Sequence, residues 1–238
     1  MTRCPSQGHG TAKQTVKALR SLLRFLHLDG VIKRSLVSAV PSIASRRLTG
    51  LPKALSPEQV RRLLAACDAR TRTGCRDKAI LMLLVRLGLR AGEVARLQLD
   101  DIDWRGGEIV VRGKGHCIER LPLPPDVGLA VATYVRRVRP ASAQGRTVFV
   151  RRHAPHGALG CSGVSCVVAC AARRAGLGLI HAHRLRHTAA TAMLRAGASL
   201  PEIGQVLRHR CLMSTAIYAK VDREALRTIA RPWPGDAP

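Results

Sequence analysis

Six side chains in this sequence have the chemistry to cut and rejoin a phosphodiester without a metal ion. They are Arg90, Lys114, His183, Arg186, His209 and Tyr218. Guanidinium groups neutralise the oxygens of a phosphate, a phenol attacks phosphorus, and imidazoles and an amine move protons. His183 and Arg186 are three residues apart at a predicted helix start and therefore share one face. Glu93 lies one turn after Arg90, where its carboxylate can orient the guanidinium.

Taken singly, each of these residues also has an ordinary structural interpretation. An arginine after an apolar helix is usually a solvated helix end, and Lys114 in its Gly-Lys-Gly turn is usually a turn lysine. His209 is compatible with a polar surface, and Tyr218 with a core aromatic. Tyrosine is scarce, because Tyr134 is the only other one. The order and spacing of the whole set make the functional hypothesis more specific than any member does.

Metal-dependent chemistry is disfavoured because metal sites need converging carboxylates, thiolates or imidazoles. Asp100, Asp101 and Asp103 crowd one loop before a predicted strand, where we interpret them as turn-forming residues. The eight cysteines include no C-x-x-C pair, and we interpret them as small apolar side chains in a reducing compartment. The sequence therefore predicts no metal ion and no other cofactor, and argues against a metal-dependent nuclease or an acidic-triad transposase.

The charge indicates a polyanionic partner. Forty Lys and Arg residues against fifteen Asp and Glu residues give a net charge of +25. Such an excess repels itself in the folded state but gains free energy beside nucleic acid through counterion release. A membrane is the weaker alternative, because the longest apolar run, at 79–89, is short and contains Arg86. We expect a cytoplasmic protein that binds nucleic acid and no membrane.

Helical periodicity dominates the chain. Helices are predicted over 14–29, about 57–67, 76–88, 126–138, 161–175, 184–196, 201–208, 212–219 and 222–230. The second of these opens with a predicted capping box, with Ser56 as the N-cap and Gln59 as its partner. The segment GEIVVRGKGHCIERLPLP predicts a hairpin or a three-stranded sheet. A loop rich in Pro and Gly places the domain boundary near Leu51. The predicted fold is mainly α with a small antiparallel β-sheet, in two domains over 1–50 and 51–238.

Four segments in this order resemble the tyrosine recombinases of the phage-integrase type. They are GLRAGEVARLQLDDIDW, VRGKGHCIERLPLP, HAHRLRHTAATAML and LRHRCLMSTAIYAK. The resemblance covers about 15–230 and implies a tyrosine-recombinase catalytic domain over 51–238. It also implies a helical, SAM-like core-binding domain before it, of which 1–50 resembles the second half. Type IB topoisomerases use a similar residue set, but the first segment and the H-x-x-R, His, Tyr order fit integrases better.

The resemblance also implies a role for each residue. Tyr218 would attack the scissile phosphate and form a 3′-phosphotyrosyl link, while Arg90 and Arg186 would clamp the phosphate oxygens. Lys114 would protonate the leaving 5′-oxygen. The three imidazoles would divide the remaining tasks: His183 as the general base toward the tyrosine, His209 as a hydrogen-bond donor to the phosphate, and His187 as a supporting residue with Glu93. Family members act as tetramers on paired DNA sites, without metal or ATP. The resemblance therefore implies a nucleoid-associated protein of bacterial or phage origin that binds double-stranded DNA.

Two departures from the family pattern favour an alternative. Only about fifty residues precede the linker, where relatives carry a complete core-binding domain. Arg208 also occupies a position before the histidine that is commonly glycine. Both features are compatible with a truncated, catalytically impaired remnant that binds DNA without recombining it. The sequence leaves this alternative open beside an active site-specific recombinase.

Overall fold

The computed structural model describes residues 9–42, 54–113 and 118–208, together with Thr215 and Tyr218. The chain forms two compact units, Met1–Gly50 and Leu51–Pro238. In the first unit, helix α1 (His9–Leu28) is followed by a short 3-10 turn at Val37–Ala39. The Arg20 guanidinium donates a 2.8 Å hydrogen bond to the carbonyl of the buried Val40, which holds the chain after the turn against α1. The assignment of this unit as part of a core-binding domain stays a prediction.

The second unit begins with two helices whose starts are encoded locally. Helix α2 (Pro57–Ala65) opens with the predicted capping box, because Ser56 Oγ accepts from the backbone of Gln59 while the Gln59 side chain accepts from the backbone of Ser56. Helix α3 (Arg72–Arg86) begins earlier than periodicity indicates, since Thr71 Oγ1 accepts from the backbone N–H of Gly74 at 3.0 Å.

A left-handed glycine separates α3 from the first predicted site residue. Gly88 has φ of +61°, and a Cβ at this position would lie 2.5 Å from the side chain of Leu207. Glycine therefore allows both the backbone conformation and the close approach. The chain then begins a separate short helix, α4 (Ala91–Arg96), which the sequence did not predict. Arg90 is the N-cap residue of α4 rather than the end of the apolar helix.

The predicted sheet is confirmed as a three-stranded antiparallel meander. Strands β1 (Ile102–Asp103), β2 (Glu108–Arg112) and β3 (Ile118–Pro122) lie in the order β1-β2-β3. Ile109 pairs with Leu121, and both side chains face the core. In the β1–β2 turn, Asp103 accepts hydrogen bonds from the backbone N–H groups of Arg105 and Gly106. This is the turn-forming role that the sequence predicted for Asp103.

Four further helices complete the described part of the unit. They are α5 (Pro125–Arg137), α6 (Cys161–Arg174), α7 (Ala182–Arg195) and α8 (Leu200–Val206). Helix α3 is central and packs against α5, α6 and α7. Tyr134 of α5 is buried in this core, where it stacks on Phe149 with ring centroids 5.3 Å apart. The mainly helical fold with a small antiparallel sheet is thus confirmed.

Some predicted features lie outside the described residues. They are most of the helix at 212–219, the helix at 222–230, and the predicted site residues Lys114 and His209. Among the described helices, none combines the length and the apolar character needed to cross a membrane.

Candidate active site

Residues from distant parts of the sequence meet where α4 and α7 begin and α8 ends. Arg90 and Glu93 come from the start of α4, and Arg186 comes from the first turns of α7. Tyr218 packs in a small apolar cluster with Ala190, Ile203 and Leu207, and its backbone N–H donates to Thr215. Of the eight residues predicted for the site, the six that the structure describes lie in this region: Arg90, Glu93, His183, Arg186, His187 and Tyr218.

Arg186 ties the two sides of the site together. Its side chain is buried and donates from Nη1 to the carbonyl of Gly88 at 2.7 Å, and from Nη2 to the carbonyl of Leu207. Burial, followed by repulsion from Arg90, lowers the pKa of Arg186 to about 10. The guanidinium is still a cation at neutral pH, and it is held in place by the backbone on both sides.

Arg90 is oriented by the carboxylate that the sequence singled out. Arg90 Nη1 donates to Glu93 Oε1 at 2.8 Å, while the backbone N–H of Arg90 donates to Oε2 at 2.8 Å. The Arg90 side chain is 42% exposed, whereas that of Glu93 is 1% exposed. Arg90 therefore presents a fixed guanidinium to solvent from a buried anchor, which is the arrangement expected for a residue that receives an external anion.

Glu93 also pairs with a residue whose role the sequence did not predict. Arg208 Nη2 donates to Glu93 Oε2 at 2.7 Å, and the Arg208 side chain is only 4% exposed. Burial alone would raise the pKa of the Glu93 carboxyl, but the Arg90 backbone and the two guanidinium groups outweigh it and hold the pKa below its usual range. Glu93 therefore remains a carboxylate that neutralises two arginines.

The backbone of Arg208 explains why this position favours glycine. Its φ is +55°, in the left-handed region that side chains with a Cβ rarely adopt. The unusual residue was visible in the sequence, but its contact with Glu93 was not. Its side chain points into the protein, where it forms a buried ion pair with Glu93.

The three remaining side chains contact one another in the order His183, His187 and Tyr218. His187 Nδ1 lies 2.8 Å from the phenol oxygen of Tyr218. The ring of His183 meets that of His187 edge to face, with centroids 4.4 Å apart and an interplanar angle of 76°. His183 is exposed and His187 is half-buried. His187, to which the resemblance assigns a supporting role, is thus in direct contact with the predicted nucleophile.

Desolvation and neighbouring cations shift the pKa values of His183, His187 and Tyr218. Burial lowers the pKa of His187 to about 4, with repulsion from His183 and Arg186 adding to the effect. The pKa of His183 is lowered for similar reasons, with Arg186 and Arg90 as its cationic neighbours. Burial raises the pKa of Tyr218 to about 12, against a smaller opposing effect of Arg186. At neutral pH the His187 imidazole is uncharged and the Tyr218 phenol keeps its proton.

Acidic and sulfur side chains elsewhere have structural roles. Asp101 accepts from the backbone of Gln98 and pairs with Arg112 at 2.7 Å. Cys166 and Cys170 share one face of α6, with their sulfurs 3.8 Å apart. Within the described ranges, no three His, Cys, Asp or Glu residues are grouped so that they could hold a metal ion.

Comparison with known proteins identifies the family. The family model described as "Phage integrase family" matches residues 53–225. A Sinorhizobium fredii protein described as an integrase/recombinase, y4rA, is 49% identical over 229 residues, which cover 95% of this chain and 56% of that protein. Tyrosine recombinase XerC of Oceanobacillus iheyensis is 32% identical over 221 residues, covering 91% of this chain and 72% of the relative. The chain belongs to the phage integrase family.

A solved structure shares the fold of this chain. The crystal structure of the XerH site-specific recombinase, in a pre-cleavage complex with its difH substrate, matches with a TM-score of 0.70 at 20% identity. The match covers 95% of this chain and 66% of that one. This chain spans little more than half the length of y4rA and of a second Sinorhizobium fredii relative, y4rF, with 56% and 55% covered.

Proposed function

We propose that this chain cuts and rejoins DNA as a metal-free, site-specific tyrosine recombinase, through a 3′-phosphotyrosyl intermediate. The observation that carries the proposal is the meeting of three groups from distant parts of the sequence. The backbone-anchored Arg186 lies close enough to Arg90 and to the phenol of Tyr218 for their charges to influence one another. An arginine pair beside a phenol is the minimal set for nucleophilic attack on a phosphodiester.

In the proposed reaction, a phosphate of the DNA backbone binds to Arg90 and Arg186. The two guanidinium groups neutralise the non-bridging oxygens as charge builds on the five-coordinate phosphorus. The Tyr218 oxygen forms a bond to phosphorus, and the bond from phosphorus to the 5′-oxygen breaks. The tyrosine proton passes to a base, and the departing 5′-oxygen receives a proton from Lys114. His209 donates a hydrogen bond to the phosphate. Reversal by another 5′-hydroxyl rejoins the strand and regenerates the enzyme.

The charge of the chain supports DNA as the substrate. The net charge of +25 is compatible with an extended contact with phosphates, of which the reacting phosphate is only one. Rejoining to a different strand requires two DNA sites held together, so we propose that the active form is a tetramer on paired sites. Integration or transposition of a mobile element would be the biological use of such a reaction.

A covalent-adduct assay tests the proposal. Randomly nicked duplexes from the genomic DNA flanking the gene are incubated with purified protein, and adducts that survive boiling in SDS are selected and sequenced. The selected duplex then serves as the substrate for variants. Tyr218→Phe should abolish the adduct, whereas Tyr134→Phe should retain it, because Tyr134 lies in the core against Phe149. EDTA should leave adduct formation unchanged.

Other outcomes separate the alternatives. DNA binding without any adduct from the wild-type chain would identify a DNA-binding remnant. A requirement for Mg²⁺ in the chemical step would contradict the metal-free mechanism. An adduct that persists in Tyr218→Phe would assign the nucleophile to another residue.

A further inference from the structure

A hydrogen bond joins Nδ1 of His187 to the phenol oxygen of Tyr218, the predicted nucleophile. The atoms are 2.8 Å apart, a short distance for a hydrogen bond between an imidazole nitrogen and a hydroxyl. His187 is uncharged at neutral pH because burial, with His183 and Arg186 nearby, lowers its pKa. A neutral imidazole has one N–H and one acceptor nitrogen. Because its pKa is raised, the Tyr218 phenol keeps its proton and can donate it to Nδ1, and we take Nδ1 as the acceptor.

The surroundings fix the orientation of the His187 ring. Its backbone is one residue after Arg186, whose side chain is bound to the carbonyls of Gly88 and Leu207. The edge-to-face contact with His183 restricts rotation of the ring from the side where α7 begins. The Tyr218 ring also lies against it, with centroids 5.6 Å apart. The Nδ1 atom of His187 is thus in hydrogen-bond contact with the reacting oxygen.

We infer that His187 is a further catalytic residue, the general base that removes the proton from Tyr218 as the phenol oxygen attacks phosphorus, a role that the resemblance assigned to His183. This inference rests on the proposed function. The O–H bond of Tyr218 breaks, its proton bonds to Nδ1 of His187, and the oxygen's electron pair forms the bond to phosphorus. The 5′-oxygen leaves with a proton from Lys114. During rejoining, the imidazolium of His187 returns the proton to the phenol oxygen, so protons balance over a full cycle.

The protonation states of the free protein indicate when this transfer occurs. With pKa values of about 4 for His187 and about 12 for Tyr218, full proton transfer before attack is strongly uphill. The phenol becomes acidic only as its oxygen bonds to phosphorus, so the proton leaves in the same step. A bound phosphate also offsets the positive charge of Arg186 that disfavours the imidazolium. The nucleophile therefore stays unreactive until DNA occupies the site.

The first test uses His187→Asn, because the side-chain oxygen of asparagine can accept from Tyr218 but is not basic. Adduct formation on the selected nicked duplex should fall by roughly 10²–10⁴-fold, the usual contribution of a general base. DNA binding should remain at the wild-type level. The matched control is His181→Asn, at the exposed N-cap of the same helix, which should retain the wild-type rate.

A change of leaving group shows whether His187 removes the proton from Tyr218 or protonates the departing 5′-oxygen. A duplex with sulfur in place of the bridging 5′-oxygen has a leaving group that needs no proton. Lys114→Ala should recover on this duplex, whereas His187→Asn should keep its defect. Replacing the tyrosines with fluorotyrosine, which has a more acidic phenol, should restore part of the rate of His187→Asn. Recovery of His187→Asn on the sulfur duplex would assign it to leaving-group protonation instead and overturn the inference.

A measurement on the free protein needs neither DNA nor a folded His187 variant. Nitrogen-15 NMR of the wild-type chain at pH 7 should show Nε2 of His187 protonated and Nδ1 as an acceptor, and Tyr218→Phe should shift the Nδ1 signal. A proton on Nδ1 in the wild-type chain would overturn the inference. If the wild-type chain forms a Tyr218 adduct and His187→Asn forms it equally fast, only the role of His187 fails. If the wild-type chain forms no adduct on any duplex, the proposed function fails as well.

Discussion

Arg208 donates a 2.7 Å hydrogen bond to the carboxylate of Glu93, and both side chains are buried. The carbonyl of Arg208 also accepts from Nη2 of Arg90 at 3.3 Å, while Arg90 holds the other carboxylate oxygen of Glu93. Glu93 thereby joins the start of α4 to the chain that follows α8. The position of the solvent-facing guanidinium of Arg90 depends on this buried pair as well as on its own helix.

Removal of Glu93 is expected to destabilise the fold, because the buried Arg208 guanidinium would lose its counter-ion. Glu93→Ala should lower the free energy of unfolding by about 3–5 kcal/mol, the usual cost of breaking a buried ion pair from one side. Urea denaturation measures the change. The control is Glu58→Ala, which breaks the exposed pair with Arg61 and should cost about 0.5 kcal/mol. Equal losses in the two variants would contradict the structural role of Glu93.

The left-handed backbone at position 208 predicts that a glycine variant is more stable than an alanine variant. Both Arg208→Gly and Arg208→Ala remove the pair with Glu93, so their difference isolates the φ of +55°. The glycine variant should be more stable by about 1 kcal/mol, because alanine retains the left-handed strain. At Arg61, within α2, the order should reverse, since glycine weakens a helix. Thermal unfolding of the four variants gives both differences, and the same order at both positions would refute the backbone argument.

Acid should destabilise the folded chain through His187. Its pKa is lowered to about 4 from an ordinary 6.5, so the unfolded chain takes up this proton first. The contribution of neutral His187 to the free energy of unfolding is fully present above about pH 6.5, and it is lost as the pH falls toward 4. The difference corresponds to about 3 kcal/mol at most. The free energy of unfolding between pH 7 and 4 should fall more steeply for the wild-type chain than for His187→Asn.

Tyr134→Phe provides the control for this pH dependence, because burial raises the pKa of that phenol and keeps it protonated throughout this range. The profile of Tyr134→Phe should run parallel to that of the wild-type chain. A parallel profile for His187→Asn as well would show that His187 titrates alike in the folded and unfolded states.

Loss of Arg90 and loss of Arg186 should both slow the reaction, but only loss of Arg186 should strongly lower the stability of the fold. Arg90→Ala should slow adduct formation by roughly 10²–10³-fold, as loss of one charge-stabilising donor does, with a small effect on folding because Glu93 keeps Arg208. Arg186→Ala should slow the reaction and also destabilise the fold, by about 1–3 kcal/mol for each of the Gly88 and Leu207 carbonyls left without a donor. Adduct rates and urea midpoints of the two variants test this, and equal stability losses would contradict it.

Local signals in the sequence were sufficient for much of the fold. The Ser56 and Gln59 capping box, the alternation around Ile109 and Val111, and the periodicity of α5 to α8 are properties of short segments, which is why they were predictable. The errors were also local. Thr71 extends α3 toward its N-terminus, and Gly88 ends it before Arg90, because capping and left-handed turns override apolar periodicity.

The sequence by itself determined the types and order of the site residues, the strong positive charge and the resemblance to integrases, since these follow from composition and spacing. Tertiary structure alone decided the contacts among them. The pairing of Glu93 with Arg208, the anchoring of Arg186 on Gly88 and Leu207, and the choice of His187 as the partner of Tyr218 all join residues far apart in the sequence. Such contacts depend on how helices pack, and packing is set by the sum of many side-chain volumes rather than by any local pattern.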